Sequence, residues 1–142
     1  MEILGEKWTF VVLRDIFAGI RRFEDMRERS TISRQVLANR LAMLVERGVL
    51  RREPYREPGA RVRHEYRLTD MGLDLYPTLV ALADWGNRYL AEPAGPPVMM
   101  VHRGCGGEVS PVLRCADGHD ALKPRDVAST PGPGARPRVA NH

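Results

Sequence analysis

The chain has 142 residues, 28% of them charged, with a formal net charge of +4 and a pI of about 9.5. That length holds one domain with appendages and a modest core that needs no covalent staples. No stretch is long and apolar enough to cross a bilayer, no secretory leader is visible, and two cysteines are too few for a disulfide scaffold, so a reduced, cytoplasmic setting is expected.

The charge is unevenly spread. Residues 1–68 carry 15 Lys/Arg and 10 Asp/Glu, whereas residues 69–142 carry 7 and 8. Nearly all of the excess is arginine, whose planar fork suits phosphate and base edges better than lysine does. An acidic partner is the first expectation for such a front half.

In chain order, Trp8, Val11, Val12, Ile16 and Phe17 recur at helical spacing. They predict a helix from about Lys7 to Ala18, stopped by Gly19, with Trp8 in the core and Gly5 separating a short piece that holds Ile3 and Leu4. A second, shorter helix is expected from Arg21 to Arg27, with Phe23 and Met26 inward and Glu24 and Asp25 complementing its dipole. Ser30 to Ile32 is a turn.

The next stretch, Ile32 to Leu44, has two faces. Ile32, Val36, Leu37, Leu41 and Leu44 form an apolar stripe, and Ser33 is a good N-cap. The other face carries Arg34, Gln35, Ala38 and Asn39. Arginine can pair bidentately with guanine, Gln and Asn with adenine, and Ala can meet the thymine methyl. A major-groove reader carries such side chains near the N-terminal end of one helix. Two short helices joined this way are a helix-turn-helix.

Gly48 ends that helix. Val49 to Glu53 reads as a strand, Pro54 to Ala60 as a loop, and Arg61 to Leu68 as a half-buried strand with Val62, His64, Tyr66 and Leu68 on one face. The result is a hairpin with a basic tip, a wing that can reach phosphates or the minor groove. Thr69 should cap one long helix running to about Leu90 and kinked at Pro77. Its apolar residues go almost all the way round, and the domain looks too small to cover them. Leu75, Leu79, Leu82 and Tyr89 are therefore the expected interface with a second copy. Trp8, Phe17, Trp85 and Tyr89 are either ordinary core aromatics or the lining of a cleft for a small aromatic effector.

After Ala91 the texture changes. Residues 93–101 read as a linker, 102–127 as a small Cys/His-containing appendage, and 128–142, rich in Pro, Gly, Ser and Arg, as a disordered tail. Residues 1–92 form the main domain. His102, Cys105, Cys115 and His119 have the chemistry of a tetrahedral zinc site, but their spacing is not a standard finger. A reversible Cys105–Cys115 disulfide and an inert appendage are the alternatives. No other cofactor is expected. An enzyme centred on the tail would need an acid–base set beyond the scattered Glu108, Asp117 and Asp120, so no catalysis is expected.

Together these motifs resemble the HxlR-type family of bacterial transcription regulators, winged-helix proteins related to the MarR group. The resemblance rests on Gly5-Glu6-Lys7-Trp8-Thr9, Leu13-Arg14-Asp15, Arg21-Arg22-Phe23, Ile32-Ser33, Leu37, Arg40-Leu41, Leu44, Glu46-Arg47-Gly48-Val49-Leu50, Val62, Tyr66, Leu68-Thr69, Gly72 and Trp85, in that order. It implies a mainly α fold with a small β-hairpin wing, dimerising through its terminal helices; the small C-terminal appendage is a departure, absent from minimal members of the family. It implies a homodimer on double-stranded DNA, with a recognition helix over 33–47 and a wing over 52–63. Carried onto this chain, Arg34, Gln35, Ala38 and Asn39 are base-facing, while Ser33, Arg40, Arg52, Arg61 and Arg63 serve the backbone or the wing. Relatives often carry a sensing cysteine ahead of the Gly-Lys-Trp-Thr-like motif. This chain begins almost at the motif: either its start is truncated or this member lacks that sensor, which leaves thiol sensing there open. The competing reading is a winged-helix protein-interaction module whose contacts with nucleic acid are only nonspecific.

Overall fold

In the computed structural model, residue 3 and residues 5–136 are described. Three helices come first: α1 (Lys7–Phe17), α2 (Phe23–Arg29) and α3 (Arg34–Glu46). An antiparallel hairpin follows, β1 (Leu50–Tyr55) and β2 (Arg63–Leu68), then α4 (Asp70–Leu73) and α5 (Tyr76–Tyr89). The fold is mostly helical with one two-stranded wing, as the sequence implies.

The helix ends have local causes. Both α1 and α3 finish in a glycine with positive φ, Gly19 at 88° and Gly48 at 79°. Behind Gly19, Ile20 N–H reaches the Asp15 carbonyl and Gly19 N–H reaches that of Ile16; behind Gly48, Val49 and Gly48 N–H reach Leu44 and Val45. This is the Schellman closure, which satisfies carbonyls the helix leaves free. At the start of α3 the Ser33 hydroxyl accepts from Val36 N–H at 3.3 Å. Helix α2 has no side-chain cap, and Glu24 and Asp25 in its first turn meet the dipole instead.

The core gathers Val12, Leu13 and Ile16 from α1, Met26 from α2, Ile32, Leu37, Leu41 and Leu44 from the turn and α3, and Val49 and Leu50 at the root of the wing. Trp8 lies at its margin, half-buried. With the apolar stripe of α3 committed inward, its opposite face is fixed outward.

The wing departs from the expected boundaries. Strand β1 continues through Pro54 to Tyr55, and β2 begins at Arg63, leaving Arg61 and Val62 in the loop. The register explains how a proline enters a strand. Tyr66 N–H donates to the Arg21 carbonyl at 2.8 Å and so points away from β1. Its pair with Arg52, and by alternation the pair Pro54–His64, are therefore the non-hydrogen-bonded kind. Pro54 has no ladder bond to lose. Only Tyr66 and Leu68 of the expected inner face pack on the core; Val62 and His64 are exposed. On the outer face Glu53 is flanked by Arg51 and Arg67, and Arg67 also reaches Glu65. The hydrogen bond from Arg51, then the Arg67 charge, holds the Glu53 carboxyl below its usual range.

The long helix expected from Thr69 to Leu90 is two helices. Thr69 caps α4 as expected, its hydroxyl accepting from Gly72 N–H at 3.2 Å. The chain then turns at Asp74–Leu75, and Pro77 falls in the first turn of α5, where its missing N–H costs nothing. Proline disfavours helical continuation into itself, so it starts a helix here rather than kinking one. Gly72 is buried tightly: a β-carbon there would stand 2.3 Å from the Val49 carbonyl oxygen and 3.0 Å from a Leu68 methyl. Gly72→Ala should therefore prise α4 from the wing root and lower stability by about 1–3 kcal/mol, the usual range for overpacking. Thermal melting of the variant checks this.

Candidate nucleic-acid interface

The residues expected to read bases lie together at the N-terminal half of α3. Arg34, Gln35 and Asn39 are exposed, and Ala38 is half-buried beside them. Gln35 Nε2 donates to Asn39 Oδ1 at 2.9 Å across one helical turn. The bond ties the two amides together and leaves the Gln35 carbonyl, an acceptor, and the Asn39 NH₂, a donor, without a partner among the described residues. Such a pair matches the N6/N7 edge of adenine in the major groove.

Arg34 is held differently. Its guanidinium makes a two-point contact with Glu24 of α2, Nη1 to Oε1 at 2.9 Å and Nη2 to Oε2 at 3.3 Å. It also lies over the Phe23 ring, 5.3 Å from the centroid. Arg27 donates to the same carboxylate at 3.1 Å. The two arginines, Arg34 first, hold the Glu24 carboxyl below its usual range, so it is anionic at neutral pH. Sequence reasoning missed this contact, because residues on different helices leave no periodic signal.

Of the residues assigned to the backbone and wing, three match the description of free cations. Arg52, Arg61 and Arg63 are exposed and make no ion pair among the described residues. Their neighbours are engaged: Arg51 with Glu53 and the Leu68 carbonyl, Arg56 with the Ala60 carbonyl. Arg22 braces the wing against the helices. It pairs with Glu57 at 2.7 Å and lies 4.2 Å from the Tyr55 ring centroid, and the bond to Glu57 raises its already high pKa. Ser33 is occupied as the cap of α3. Arg40 is in an ion pair with Glu6 and only 23% exposed, so it fastens α3 to the N-terminus of α1 rather than standing free.

The residues expected at a dimer contact divide. Leu75 and Leu79 pack against the chain's own core. Leu82 and Tyr89 are exposed and, with Trp85, line one face of α5 at helical spacing. Only Val80 of α5 is buried. Of the four aromatics suggested for core or cleft, Trp8 and Phe17 pack against the core, Phe17 meeting Tyr76 at 4.9 Å, while Trp85 meets Tyr89 at 5.8 Å. A shallow cavity of about 210 Å³ lies elsewhere, lined by Asp84, Asn87 and Arg88 of α5 and by Pro96, Met99, Met100, Glu108 and Val109.

The appendage holds two tight turns and, near its end, one 3-10 turn over Pro124–Asp126. In the first, His102 N–H reaches the Gly107 carbonyl and Gly106 takes a φ of 72°; in the second, Cys115 N–H reaches the His119 carbonyl and Gly118 takes 88°. Each turn brings one imidazole to one thiol, His102 Nδ1 to Cys105 Sγ at 3.3 Å and His119 Nδ1 to Cys115 Sγ at 3.1 Å. Both cysteines are free thiols. Among the described residues no three His, Cys, Asp or Glu side chains converge as a metal would require. Residues 128–136 are exposed and, apart from one turn, irregular, and the rest of the expected tail lies outside the described residues, as do Met1, Glu2 and Leu4.

No helix among the described residues is long and apolar enough to cross a membrane. The profile of the HxlR-like helix-turn-helix family matches residues 3–94. A relative in Mycobacterium tuberculosis (strain CDC 1551 / Oshkosh), named an uncharacterised HTH-type transcriptional regulator, is 41% identical over 99% of this chain and 88% of its own. Among solved structures, the candidate transcription factor PA1607 superposes with a TM-score of 0.79 at 34% identity, over 91% of this chain and 89% of its own. PA1374 of Pseudomonas aeruginosa, likewise a candidate transcription factor, gives 0.67 at 34% over 95% and 90%. These three similarities run past residue 94 into the appendage. Relatives and fold alike are those of transcription regulators, not enzymes, and the chain belongs to the HxlR-like helix-turn-helix family.

Proposed function

We propose that the protein is a sequence-specific regulator that binds double-stranded DNA as a homodimer within the cytoplasm. The observation that carries this reading is the outward face of α3: Arg34, a bonded Gln35–Asn39 pair and Ala38 stand together on a helix whose other face is locked into the core. Placed in the major groove, that face reads base edges, while Arg52, Arg61 and Arg63 on the wing meet phosphates or the neighbouring minor groove. The exposed Leu82–Trp85–Tyr89 face of α5 is the proposed contact with the second copy, setting two α3 helices about one turn of DNA (~34 Å) apart.

The experiment is a comparison of alanine variants on a duplex recovered by selection from random DNA and on a scrambled duplex of equal length. Asn39→Ala should cost roughly 1–3 kcal/mol on the selected duplex and relax the preference at one base position. Arg61→Ala should weaken both duplexes alike and reduce the salt slope by about one unit. Equal losses on both duplexes for Asn39→Ala would contradict the assignment of α3 as the reader and favour a protein-binding module with incidental basic charge.

A further inference from the structure

Arg34 does not stand free in the groove-reading face; it is gripped from the neighbouring helix. We infer that Glu24 is a positioning residue for base recognition, an inference that rests on the DNA-binding reading above. Its carboxylate occupies both terminal nitrogens of Arg34, Nη1 at 2.9 Å and Nη2 at 3.3 Å. The Phe23 ring, 5.3 Å away, restricts the guanidinium from one side. Arg27, bonded to Oε2 at 3.1 Å, stops the carboxylate from swinging away with its partner.

The contact has a specific chemical consequence. A guanidinium has five N–H groups in a fixed plane. Here the terminal nitrogens face the carboxylate, the hydrogen bond coming from Nη2 and Nη1 lying 2.9 Å from the other oxygen. The Nε–H and the outer N–H of the adjacent nitrogen remain, and these two point the same way. They form a second fork, the spacing of which suits the O6 and N7 acceptors of guanine. Glu24 thus holds one edge of Arg34 and leaves the other presented, and the long flexible side chain pays its ordering entropy before DNA arrives. A carboxylate this close to DNA also repels phosphate. Glu24 therefore trades overall affinity for discrimination, and the two effects move in opposite directions when it is neutralised.

The trade is read by titrating wild type, Glu24→Gln, Arg34→Ala and the double variant against three duplexes at fixed salt. These are a duplex recovered by selection from random DNA, the same duplex with the guanine that Arg34 reads changed to adenine, and a scrambled duplex. Glu24→Gln should lower the guanine-over-adenine preference by about tenfold while binding scrambled DNA as tightly as wild type or a few-fold tighter. In the Arg34→Ala background it should leave the preference unchanged, because a positioning residue acts only through the group it positions. An unchanged preference in Glu24→Gln would overturn the inference. So would an equal drop with Arg34 already removed, which would make Glu24 a direct contact or a structural residue. If wild type itself did not separate selected from scrambled DNA, the DNA-binding reading would fail and this inference with it. If Arg34→Ala alone showed no guanine effect, only the positioning inference would fail.

Discussion

On the dimer proposed above, Trp85→Asp is expected to leave the protein monomeric and to lower its affinity for a two-half-site duplex by a hundredfold or more. Trp85 is 53% exposed on α5, stacked only on Tyr89, and Leu82 one turn earlier is 47% exposed. Large apolar groups aligned on one helix face and left in water favour burial against a partner, at roughly 25 cal/mol for each Å² covered. A buried aspartate facing its symmetry mate across a two-fold axis would set two uncompensated charges together. Since the face is exposed in the single chain, the substitution leaves the domain's own core intact, and its melting temperature as a monomer tests that separately. The loss on DNA follows from geometry: one reading helix per complex forgoes the effective concentration that a tethered second half-site provides. Sedimentation and binding on the same samples measure both. A variant that stayed dimeric would move the dimer contact to another surface.

Leu41→Ala is the second large effect, and it acts on folding. Leu41 is fully buried on α3, with Leu37 one turn before it and Leu44 one turn after it. Truncating a leucine in such a place costs its transfer free energy and leaves a cavity, together about 2–5 kcal/mol. Domains of this size have about 5–15 kcal/mol in total. The melting temperature should therefore fall by at least about 10 °C. Ala42→Ser, on the exposed side of the same helix, should change it by no more than a degree or two, within the roughly ±0.5 kcal/mol of ordinary surface changes. If both variants melted alike, α3 would not be the internal spine described here.

The parts of the molecule that were readable in the sequence are those whose causes are local. The stripe of Ile32, Leu37, Leu41 and Leu44 assigns α3 its inner face, and the outer face with Arg34, Gln35 and Asn39 follows by elimination. Gly19, Gly48, Ser33 and Thr69 mark ends because each needs only its own φ or hydroxyl to act. The departures come from forces that spacing does not carry. Pro54 is compatible with β1 only because of hairpin phase, which the strand pairing sets. The break at Asp74–Leu75 reflects Pro77 acting on the residues before it, whereas the run of apolar residues on both sides reads as one helix. Leu75 and Leu79 look equivalent to Leu82 on a helical projection, but only the first two pack on the core, and Leu82 is exposed. Glu24 with Arg34, and Glu6 with Arg40, join residues ten and thirty-four positions apart. In the appendage, the pairing of His102 with Cys105 and of His119 with Cys115 is set by two separate turns.

The most direct test of the central claim is binding of the full chain to DNA from the region upstream of its own gene, against scrambled DNA of equal length. Salt is fixed near ~150 mM, because phosphate contacts alone make affinity steeply salt-dependent. The account gives a preference of about a hundredfold or more, within the usual span between specific and nonspecific binding, with two protomers on each site. Equal, weak binding to that DNA and to every duplex recovered by selection from random sequence would contradict it.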